Sequence, residues 1–574
     1  MALFSIPSRP SIDQDKAIAQ KAKSKSKKST TSAIKSGGLS AQIHNIVHAV
    51  DIALGQYRDK YQIITDEQVL RDYIACCKKN NYISIDTETT GLNPLQDKLA
   101  GICIYTYGKK GTYIPINHIN YVTGAKLSNQ LPQDIIVTAF NELMAQHVDI
   151  DMFNASFDIR FLRAFGINAY CTWDASIAAR MMNENEAESQ RGLKALHNKY
   201  CLDGKGDAFS FDDLFKGVSF INIPLNTAYL YAAHDPVITT ELCDFQRKYL
   251  TYDPTQTLDA NNGMNGVAWV FKNIEMPTVD VVVAMETEGV AFDFSYNKIL
   301  ADKYHRLLSD NLTSLQSLVK PYESDLLKWS ATHPQTKIDN PINFGSPQQL
   351  QVLLYDILKL DAGIDKRTKK PIRGTGEEIL KNLDHPVCKA ILEYRAFEKL
   401  VGTYIDKLPN CVDPKDNRIH CEFNQYGADT GRFSSKNPNL QNIPSHNKDI
   451  RKMFKASDGC ILMSSDFSQQ EPKCLAALCK QQGDSQMYDT FMKGKDLYSE
   501  IASVSFHRAY EDCLEFYLDA NGKKTDKTNK EGKEYRSRAK SILLGKLKRF
   551  NAFGCHTQNT PRINYVNRIT HGCA

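Results

Sequence analysis

Two carboxylates stand two positions apart in an alternating stretch, Tyr82-Ile-Ser-Ile-Asp-Thr-Glu-Thr-Thr-Gly91. The alternation predicts a β-strand, in which residues two apart share one face. Asp86 and Glu88 then project together, while Ile83 and Ile85 face a core. Two like charges this close are costly unless a cation lies between them, and Mg²⁺ or Mn²⁺ prefers oxygen ligands. The alternative is a solvated strand end followed by a turn.

A third acid lies in Phe153-Asn-Ala-Ser-Phe-Asp-Ile-Arg-Phe-Leu162. Phenylalanines recur every fourth position from Phe157 to Phe165, which predicts a helix with a buried aromatic stripe. Asp158 is one position off that stripe, and Asn154 is predicted to cap the helix. A lone acid at this place is otherwise a cap or a partner of the helix dipole.

A fourth acid ends Ala228-Tyr-Leu-Tyr-Ala-Ala-His-Asp235. Tyr231 and Asp235 are four residues apart, so a continuous helix would place them on one face. Pro236 follows directly and lacks a backbone donor, so it is expected to kink that helix. Taken alone, the pair predicts only a surface hydrogen bond.

Several elements must position these acids. Spacing of apolar residues predicts a short helix from Gln42 to Tyr57 and another from Asp66 to Asn80. Leu99–Tyr107 and Gly111–Ile116 are β-rich runs joined by Gly108-Lys-Lys, which predicts a hairpin. Pairing with the first strand would give a mixed sheet whose edge strand ends at Asp86.

The order of these motifs resembles the proofreading 3′–5′ exonuclease domain with four metal-binding carboxylates, over residues 60–250. Asp174-Ala-Ser-Ile-Ala-Ala-Arg180 and Gly192-Leu-Lys-Ala-Leu196 fit the same family. The resemblance implies two divalent ions, Mg²⁺ or Mn²⁺, with Tyr231 positioning the attacking water. It assigns the ions to Asp86, Glu88, Asp158 and Asp235.

Composition limits the possible classes of protein. The 574 residues are 42% hydrophobic and 24% charged, as in a globular protein of several domains. No run of about 18 apolar residues and no signal-peptide pattern occurs, so we expect an intracellular protein without a membrane span. Fifteen cysteines without a Cys-x-x-Cys pair favour reduced thiols over a zinc module. Residues 1–41 carry a net charge of +6, which predicts a basic disordered tail that touches nucleic acid or only adds solubility.

A second resemblance begins after the Gly- and Asn-rich connector Asn261–Gly266, a predicted domain boundary. Three segments resemble the entry to the polymerase domain of family A DNA polymerases: Ile274-Glu-Met-Pro277, Ala284-Met-Glu286 and Glu288-Gly-Val290. Two more resemble its helical thumb, Asn343–Leu350 and Ile391–Tyr404. The thumb's helices would otherwise indicate only a packing domain.

A polar, turn-rich region follows, Asp429–Ser435 and Asn437–Pro444. Its arginine suits phosphate, and its amides suit sugar and base edges. In family A the matching segment grips the primer–template, which implies that four residues bind DNA: Arg432, Asn439, Gln441 and Asn442. The alternative is an ordinary surface loop.

The stretch Ile461–Glu471 predicts a strand that runs into a helix. It resembles the first palm motif of family A, which implies that Asp466 is catalytic and binds Mg²⁺. Glu471 matches the residue that crowds the sugar 2′ position, so it is expected to contact the nucleotide. The version Gln-Gln-Glu-Pro-Lys resembles phage enzymes.

The fingers motif starts at Arg536, one helical turn before Lys540, the spacing needed to clamp a triphosphate. Such a pair is otherwise a solvated basic face. Leu544 replaces the usual aromatic residue, and the resemblance stops after Gly545. Residues 546–574 contain no Asp or Glu and no helical periodicity. We hypothesise that these residues are translated from another reading frame or from an intron, so that the polymerase part is truncated.

The predicted fold class is an α/β exonuclease domain, a ribonuclease H-like mixed sheet with helices, followed by an incomplete α+β right-hand polymerase domain. The predicted domains are a basic tail (1–41), the exonuclease (42–255), the palm entry and thumb (267–445), partial palm and fingers (446–545) and an aberrant basic tail (546–574).

The predicted function is DNA-directed DNA synthesis by a family A polymerase with 3′–5′ proofreading, acting in viral replication within a host cytoplasm. Only the exonuclease centre is expected to be complete in this chain. The expected partners are a DNA primer–template and a single-stranded 3′ end, plus dNTPs, Mg²⁺ and a second polypeptide if the polymerase site is completed. Alternatives are a standalone two-metal exonuclease and a non-catalytic DNA-binding remnant.

Overall fold

The computed structural model describes residues 38–183, 186–206, 211–215, 217–365, 368–428, 431–444, 447–481, 483, 485–519 and 522–554. The described residues form two compact units. The first contains the described residues of 1–284, 428–432 and 467–574, and the second those of 285–427 and 433–466. The predicted basic tail lies outside the described residues up to position 37, as do residues 555–574. The predicted domain limits stay predictions.

A mixed six-stranded sheet lies in the first unit. Its strands are β1 Tyr61–Ile63, β2 Tyr82–Thr89, β3 Leu99–Tyr105, β4 Gly111–Pro115, β5 Asp149–Met152 and β6 Trp173–Asp174, in the order β1-β4-β3-β2-β5-β6. The strands β2, β3 and β4 pair antiparallel, and the remaining pairs are parallel. Hence β2 is an interior strand. The predicted edge position is wrong because β5 pairs along the other side of β2.

The alternation of β2 has the predicted effect on packing. Ile83 and Ile85 are buried in the core, which confirms the predicted inward face. The predicted hairpin between β3 and β4 is also confirmed. Its turn contains Gly108 at φ +76°, a left-handed conformation that glycine adopts without steric cost.

Helices cover this sheet. They are α1 Leu39–Leu54, α2 Glu67–Asn80, α3 Gln133–Met144, α4 Ala155–Phe165, α5 Ala175–Met182, α6 Leu193–Cys201, α7 Phe211–Phe215, α8 Leu225–Ala232, α9 His234–Leu250 and α10 Met264–Val270. The two predicted N-terminal helices are confirmed as α1 and α2. Asp66 begins α2 by accepting a hydrogen bond from the Val69 amide. A π-helical turn, Phe271–Glu275, leads from α10 into α11, Met276–Glu288.

The second unit is mainly helical, as the thumb resemblance predicts. Its helices are α12 Phe294–Val319, α13 Glu323–Thr332, α14 Pro347–Gln351, α15 Glu377–Asn382, α16 Pro386–Leu400 and α17 Lys448–Arg451. A four-stranded sheet, in the order β12-β7-β9-β8, joins β7 Val290–Phe292, β8 Val412–Asp413, β9 Arg418–Ile419 and β12 Phe454–Lys455. The strands β10 Glu422–Asn424 and β11 Ser434–Lys436 pair antiparallel.

The C-terminal part of the first unit contains α18 Gln470–Gln481, α19 Gln486–Met492, α20 Leu497–Phe506, the hairpin β13 Phe516–Leu518 with β14 Lys524–Thr528, and α21 Lys530–Gly554. Because α21 continues to Gly554, the prediction of no helical pattern after Gly545 is wrong for residues 546–554. Among the described residues, no helix combines the length and apolar character that a bilayer span requires.

Candidate metal centre

The carboxylates of Asp86 and Glu88 lie side by side at the end of β2, as predicted. Together with the thiol of Cys103 they form a group whose ligand atoms all lie within 4.8 Å of one another. Cys103 is directly opposite Asp86 in the antiparallel pair of β2 and β3, so the two side chains share one face. Cys103 is not among the ligands predicted from the sequence, although its place in the predicted hairpin is a usable signal.

Of these two carboxylates, Asp86 is half-buried and Glu88 is buried. Glu88 is only 7% exposed, and the described part of the chain offers neither acid a hydrogen bond or an ion pair. Burial raises the pKa of Asp86 well above its usual value, and the charges of Asp158 and Asp235 raise it further. Burial and the charge of Asp235 also raise the pKa of Glu88 well above its usual value. Lys194 opposes the rise in pKa for both acids. Neighbouring carboxylates whose negative charge is only partly offset favour binding of a cation.

Asp158 lies in the first turn of α4 and is buried. The Thr87 hydroxyl donates a hydrogen bond of 2.6 Å to its Oδ1. Burial raises the pKa of Asp158 to about 7, while the bond from Thr87 opposes that rise. The predicted aromatic stripe is partly wrong, because of its three phenylalanines only Phe161 is fully buried. The acid itself belongs to the buried face.

The predicted cap of α4 has the right position but not the expected hydrogen bond. Asn154 occupies the N-cap position in a left-handed conformation, and its side chain makes no capping bond. Asp174, at the end of β6, accepts hydrogen bonds from the amides of Asn154 at 3.2 Å and Ala155 at 2.8 Å. The same carboxylate accepts the Ser176 amide at the start of α5 at 2.8 Å. One aspartate therefore begins two helices.

Tyr231 and Asp235 do not share one continuous helix. The helix is interrupted at Ala233, between α8 and α9, and Asp235 lies in the first turn of α9. Pro236 is tolerated there because first-turn amides have no partner within a helix. It begins a new helix instead of kinking an old one. The predicted proximity of the pair is nevertheless present.

Lys194 of α6 brings the tyrosine and the aspartate together. Its Nζ donates to Tyr231 OH at 3.0 Å and to Asp235 Oδ2 at 3.0 Å. Both side chains of the ion pair are largely buried, at 16% and 14% exposed. Burial and the nearby Asp235 raise the pKa of Tyr231, so its hydroxyl keeps its proton while its oxygen accepts the bond from Lys194.

The donor set fits divalent cations. Four carboxylates influence one another's ionisation here, while Lys194 is the cation that acts on both Asp86 and Glu88. Oxygen ligands with excess negative charge are those that Mg²⁺ and Mn²⁺ prefer. The four predicted ligands are thus brought to one region, and the roles assigned to them stay predictions.

The residues predicted to bind DNA lie at the surface. Asn439, Gln441 and Asn442 are exposed, and the Asn439 side chain accepts the Gln441 amide at 3.1 Å. The Arg432 guanidinium pairs with the Glu471 carboxylate at 2.7 Å. Asp429, at the start of the predicted motif, lies outside the described residues.

The predicted strand before Asp466 is wrong. Residues 461–467 have no regular secondary structure, and the following helix begins at Gln470. Ile461 and Met463 are 89% and 86% exposed, and Asp466 is exposed as well. A strand forms only where a neighbour satisfies its backbone groups, and the described residues supply no partner strand for this segment.

The two predicted triphosphate contacts lie on one face of α21. Arg536 and Lys540 both approach the ring of Tyr498, at 5.2 Å and 5.8 Å from its centroid. Arg536 also forms a two-pronged ion pair with Asp496, at 3.0 Å and 3.1 Å. A triphosphate would have to compete with that carboxylate. The side chains of positions 544 and 545 lie outside the described residues.

Two family models match the chain. Residues 61–251 match the 3′–5′ exonuclease, and residues 313–516 match DNA polymerase family A. Curated relatives are bacterial. DNA polymerase I of Borreliella burgdorferi is 32% identical over 78% of this chain and 44% of its own length, and that of Chloroflexus aurantiacus is 30% identical over 77% and 44%.

The chain thus spans less than half the length of these relatives. Among solved structures, the POL domain of Pol1 from M. smegmatis, in complex with DNA primer-template and dNTP, matches with a TM-score of 0.62 and 19% identity. The match covers 89% of this chain and 76% of that one. At this identity the likeness concerns the fold alone.

Proposed function

We propose that the chain, which is similar to the 3′–5′ exonuclease over residues 61–251 and to DNA polymerase family A over residues 313–516, removes nucleotides from the 3′ end of DNA in a reaction that requires divalent metal. The observation that carries the proposal is the pair Asp86 and Glu88, to which the described residues offer no hydrogen bond or direct ion pair and whose charge is only partly offset by the nearby Lys194. The mixed order of the six-stranded sheet supports the ribonuclease H-like assignment as part of this proposal.

The four acids have a direct part in such a reaction. A phosphodiester is negatively charged and gains further charge as water attacks, so the site must supply positive charge. Asp86, Glu88, Asp158 and Asp235 would hold two divalent ions. When bound, these ions lower the pKa of the attacking water and stabilise the leaving 3′ oxygen.

The remaining side chains orient the reactants. Tyr231 keeps its proton, so it donates a hydrogen bond to the attacking water and does not act as a base. Lys194 holds the tyrosine hydroxyl and Asp235 within 3.0 Å of one ammonium group. This fixes the direction of the hydroxyl relative to the acids. The Thr87 hydroxyl orients Asp158 by donating a hydrogen bond to its carboxylate.

The proposal extends to DNA-directed DNA synthesis, with Asp466 as a metal ligand and Arg536 and Lys540 as triphosphate contacts. The match of residues 313–516 to DNA polymerase family A supports it. The exposure of Asn439, Gln441 and Asn442 is compatible with contacts to a primer–template. A viral origin, a truncated polymerase part and a second polypeptide stay predictions, and the relatives described above are bacterial.

A degradation assay tests the exonuclease proposal. Single-stranded DNA labelled at its 5′ end should shorten stepwise from the 3′ end with Mg²⁺ or Mn²⁺, and EDTA should stop the reaction. Asp86→Ala should reduce it to background, because one of the proposed ligands is lost. Asp134→Ala removes an exposed acid of the same unit and should not change the rate. Full activity of Asp86→Ala would refute the assignment.

Primer extension tests the polymerase proposal separately. A primed template with four dNTPs and Mg²⁺ is the substrate, and the exonuclease-deficient Asp86→Ala variant prevents degradation of the primer. Extension that disappears in Asp466→Ala would support the role of Asp466. It would also contradict the sequence-based prediction that the polymerase centre is incomplete.

A further inference from the structure

A thiol lies inside the cluster of acids at the end of β2. Cys103 is fully buried and pairs across the sheet with Asp86. Its Sγ belongs to the group whose ligand atoms lie within 4.8 Å of one another. A sulfur ligand changes which ions a site binds, because thiolates favour borderline and soft metals.

We propose that Cys103 Sγ is a third protein ligand to a divalent ion held by Asp86 and Glu88, and that it makes this position prefer Zn²⁺ or Cd²⁺ over Mg²⁺. The inference rests on the proposed function in so far as the two acids are metal ligands. It adds a ligand and a selectivity that the four carboxylates alone do not provide.

The distances support a shared ion. Oxygen ligands lie about 2.0–2.2 Å and thiolate sulfur about 2.3 Å from Zn²⁺, so two ligands of one ion are at most about 4.5 Å apart. The three ligand atoms are within 4.8 Å of one another. A side-chain adjustment of a few tenths of an ångström therefore suffices.

The surroundings of Glu88 also point to a ligand at this place. Glu88 is more than nine-tenths buried, and no described residue gives its carboxylate a hydrogen bond. Gly101 is opposite Glu88 in the strand pair. A Cβ at this glycine would meet the Tyr113 ring at 2.4 Å, so the Tyr113 ring packs over Gly101 and adds to the burial of this part of the site.

The thiol binds only as its anion. The free thiol carries a proton, which must leave before the sulfur can act as a ligand. Formation of the metal–sulfur bond releases that proton to solvent. A divalent charge at the acids offsets the repulsion that otherwise opposes the thiolate.

X-ray absorption at the zinc edge tests the proposal on the full chain. One equivalent of Zn²⁺ should show a sulfur neighbour at about 2.3 Å together with oxygen neighbours. Asp86→Ala should lose both, and Cys103→Ser should lose only the sulfur. Cys77→Ser replaces an equally buried cysteine of α2 and should keep the signal. Zinc affinity should fall at least tenfold in Cys103→Ser, while Mg²⁺ affinity changes little.

The results separate this inference from the proposed function. Oxygen-only coordination of zinc in the unmodified chain would overturn the inference, and it needs no variant that must fold. A sulfur signal that persists in Cys103→Ser, once its melting curve shows a folded protein, would overturn it too. Degradation of DNA with Mg²⁺ is measured in parallel, so exonuclease activity without zinc–sulfur coordination would refute the inference alone. A sulfur signal without degradation would refute the function alone.

Discussion

Removing the lysine beside the acids should destabilise the protein in a way that metal reverses. Lys194→Met keeps the length of the side chain but deletes the ammonium that bonds Tyr231 and Asp235 at 3.0 Å each. The Lys194–Asp235 pair is 16% and 14% exposed. Breaking a buried pair costs about 3–5 kcal/mol, and because water reaches this pair we take the lower end, about 3 kcal/mol.

This loss of unfolding free energy corresponds to a decrease in melting temperature. For a domain of 150–250 residues, 1 kcal/mol corresponds to about 2–4 °C, so Lys194→Met should lower Tm by about 6–12 °C in EDTA. With saturating Mn²⁺ the difference should shrink to less than half, because bound ions supply the missing positive charge and stabilise the folded state. Fluorescence-monitored melting measures both conditions, followed on the transition that Mn²⁺ shifts in the unmodified chain.

Lys79→Met is the matched control, since Lys79 is an exposed lysine of α2. Its Tm should match that of the unmodified chain under both conditions. An equal loss of Tm with and without Mn²⁺ would refute the idea that Lys194 and the metal ions compensate the same carboxylates. An unchanged Tm in EDTA would show that the pair contributes nothing to stability.

Three further results are expected. The folded protein holds the Asp158 proton up to about pH 7 against an ordinary pKa of 3.8. The contribution of this carboxyl to the free energy of unfolding in EDTA should therefore be fully present below about pH 4 and fall by up to ~4 kcal/mol as the pH rises to 7. In urea unfolding, Asp158→Asn should make the loss of stability over this pH range smaller than in the unmodified chain, and an unchanged slope would contradict the assignment. Thr87→Val removes the hydroxyl that opposes the rise in the pKa of Asp158. The loss of unfolding free energy with rising pH should therefore extend to higher pH, and exonuclease activity at pH 7 should decrease. A stability–pH profile like that of the unmodified chain would exclude this role of Thr87. Asp496→Asn removes the charge that occupies Arg536 while its side-chain oxygen can still cap α20, so inorganic triphosphate should bind several-fold more tightly in isothermal titration; unchanged affinity would argue against Arg536 as a phosphate contact.

Local patterns predicted much of the exonuclease region. The alternation around Asp86 and Glu88 specifies which side chains face the core, and the Gly-Lys-Lys turn specifies a hairpin; both depend on neighbours in the chain. The interior position of β2 could not be predicted in this way, because its second partner is the four-residue strand Asp149–Met152. A strand so short carries little periodicity, and its parallel pairing joins residues far apart in sequence.

The errors at the site have a similar origin. Asn154 has the right residue type for a cap, yet Asp174 from another strand takes that role. Cys103 was overlooked because a single thiol has no motif until the strand register places it opposite Asp86. The stretch before Asp466 has the composition of a strand, but the backbone partners that a strand requires are not among the described residues.

Asp174 will complicate any mutational survey of this domain. It accepts amides at the starts of both α4 and α5, and α4 carries Asp158 in its first turn. Loss of the Asp174 carboxylate would leave the first turn of α4 less well fixed. A screen scored only by DNA degradation would then record the same defect as loss of a metal ligand. Melting curves or the amide chemical shifts of Asn154 and Ala155 would separate the two cases, because an acid that anchors backbone N–H groups leaves a structural signature that an ion-binding acid does not.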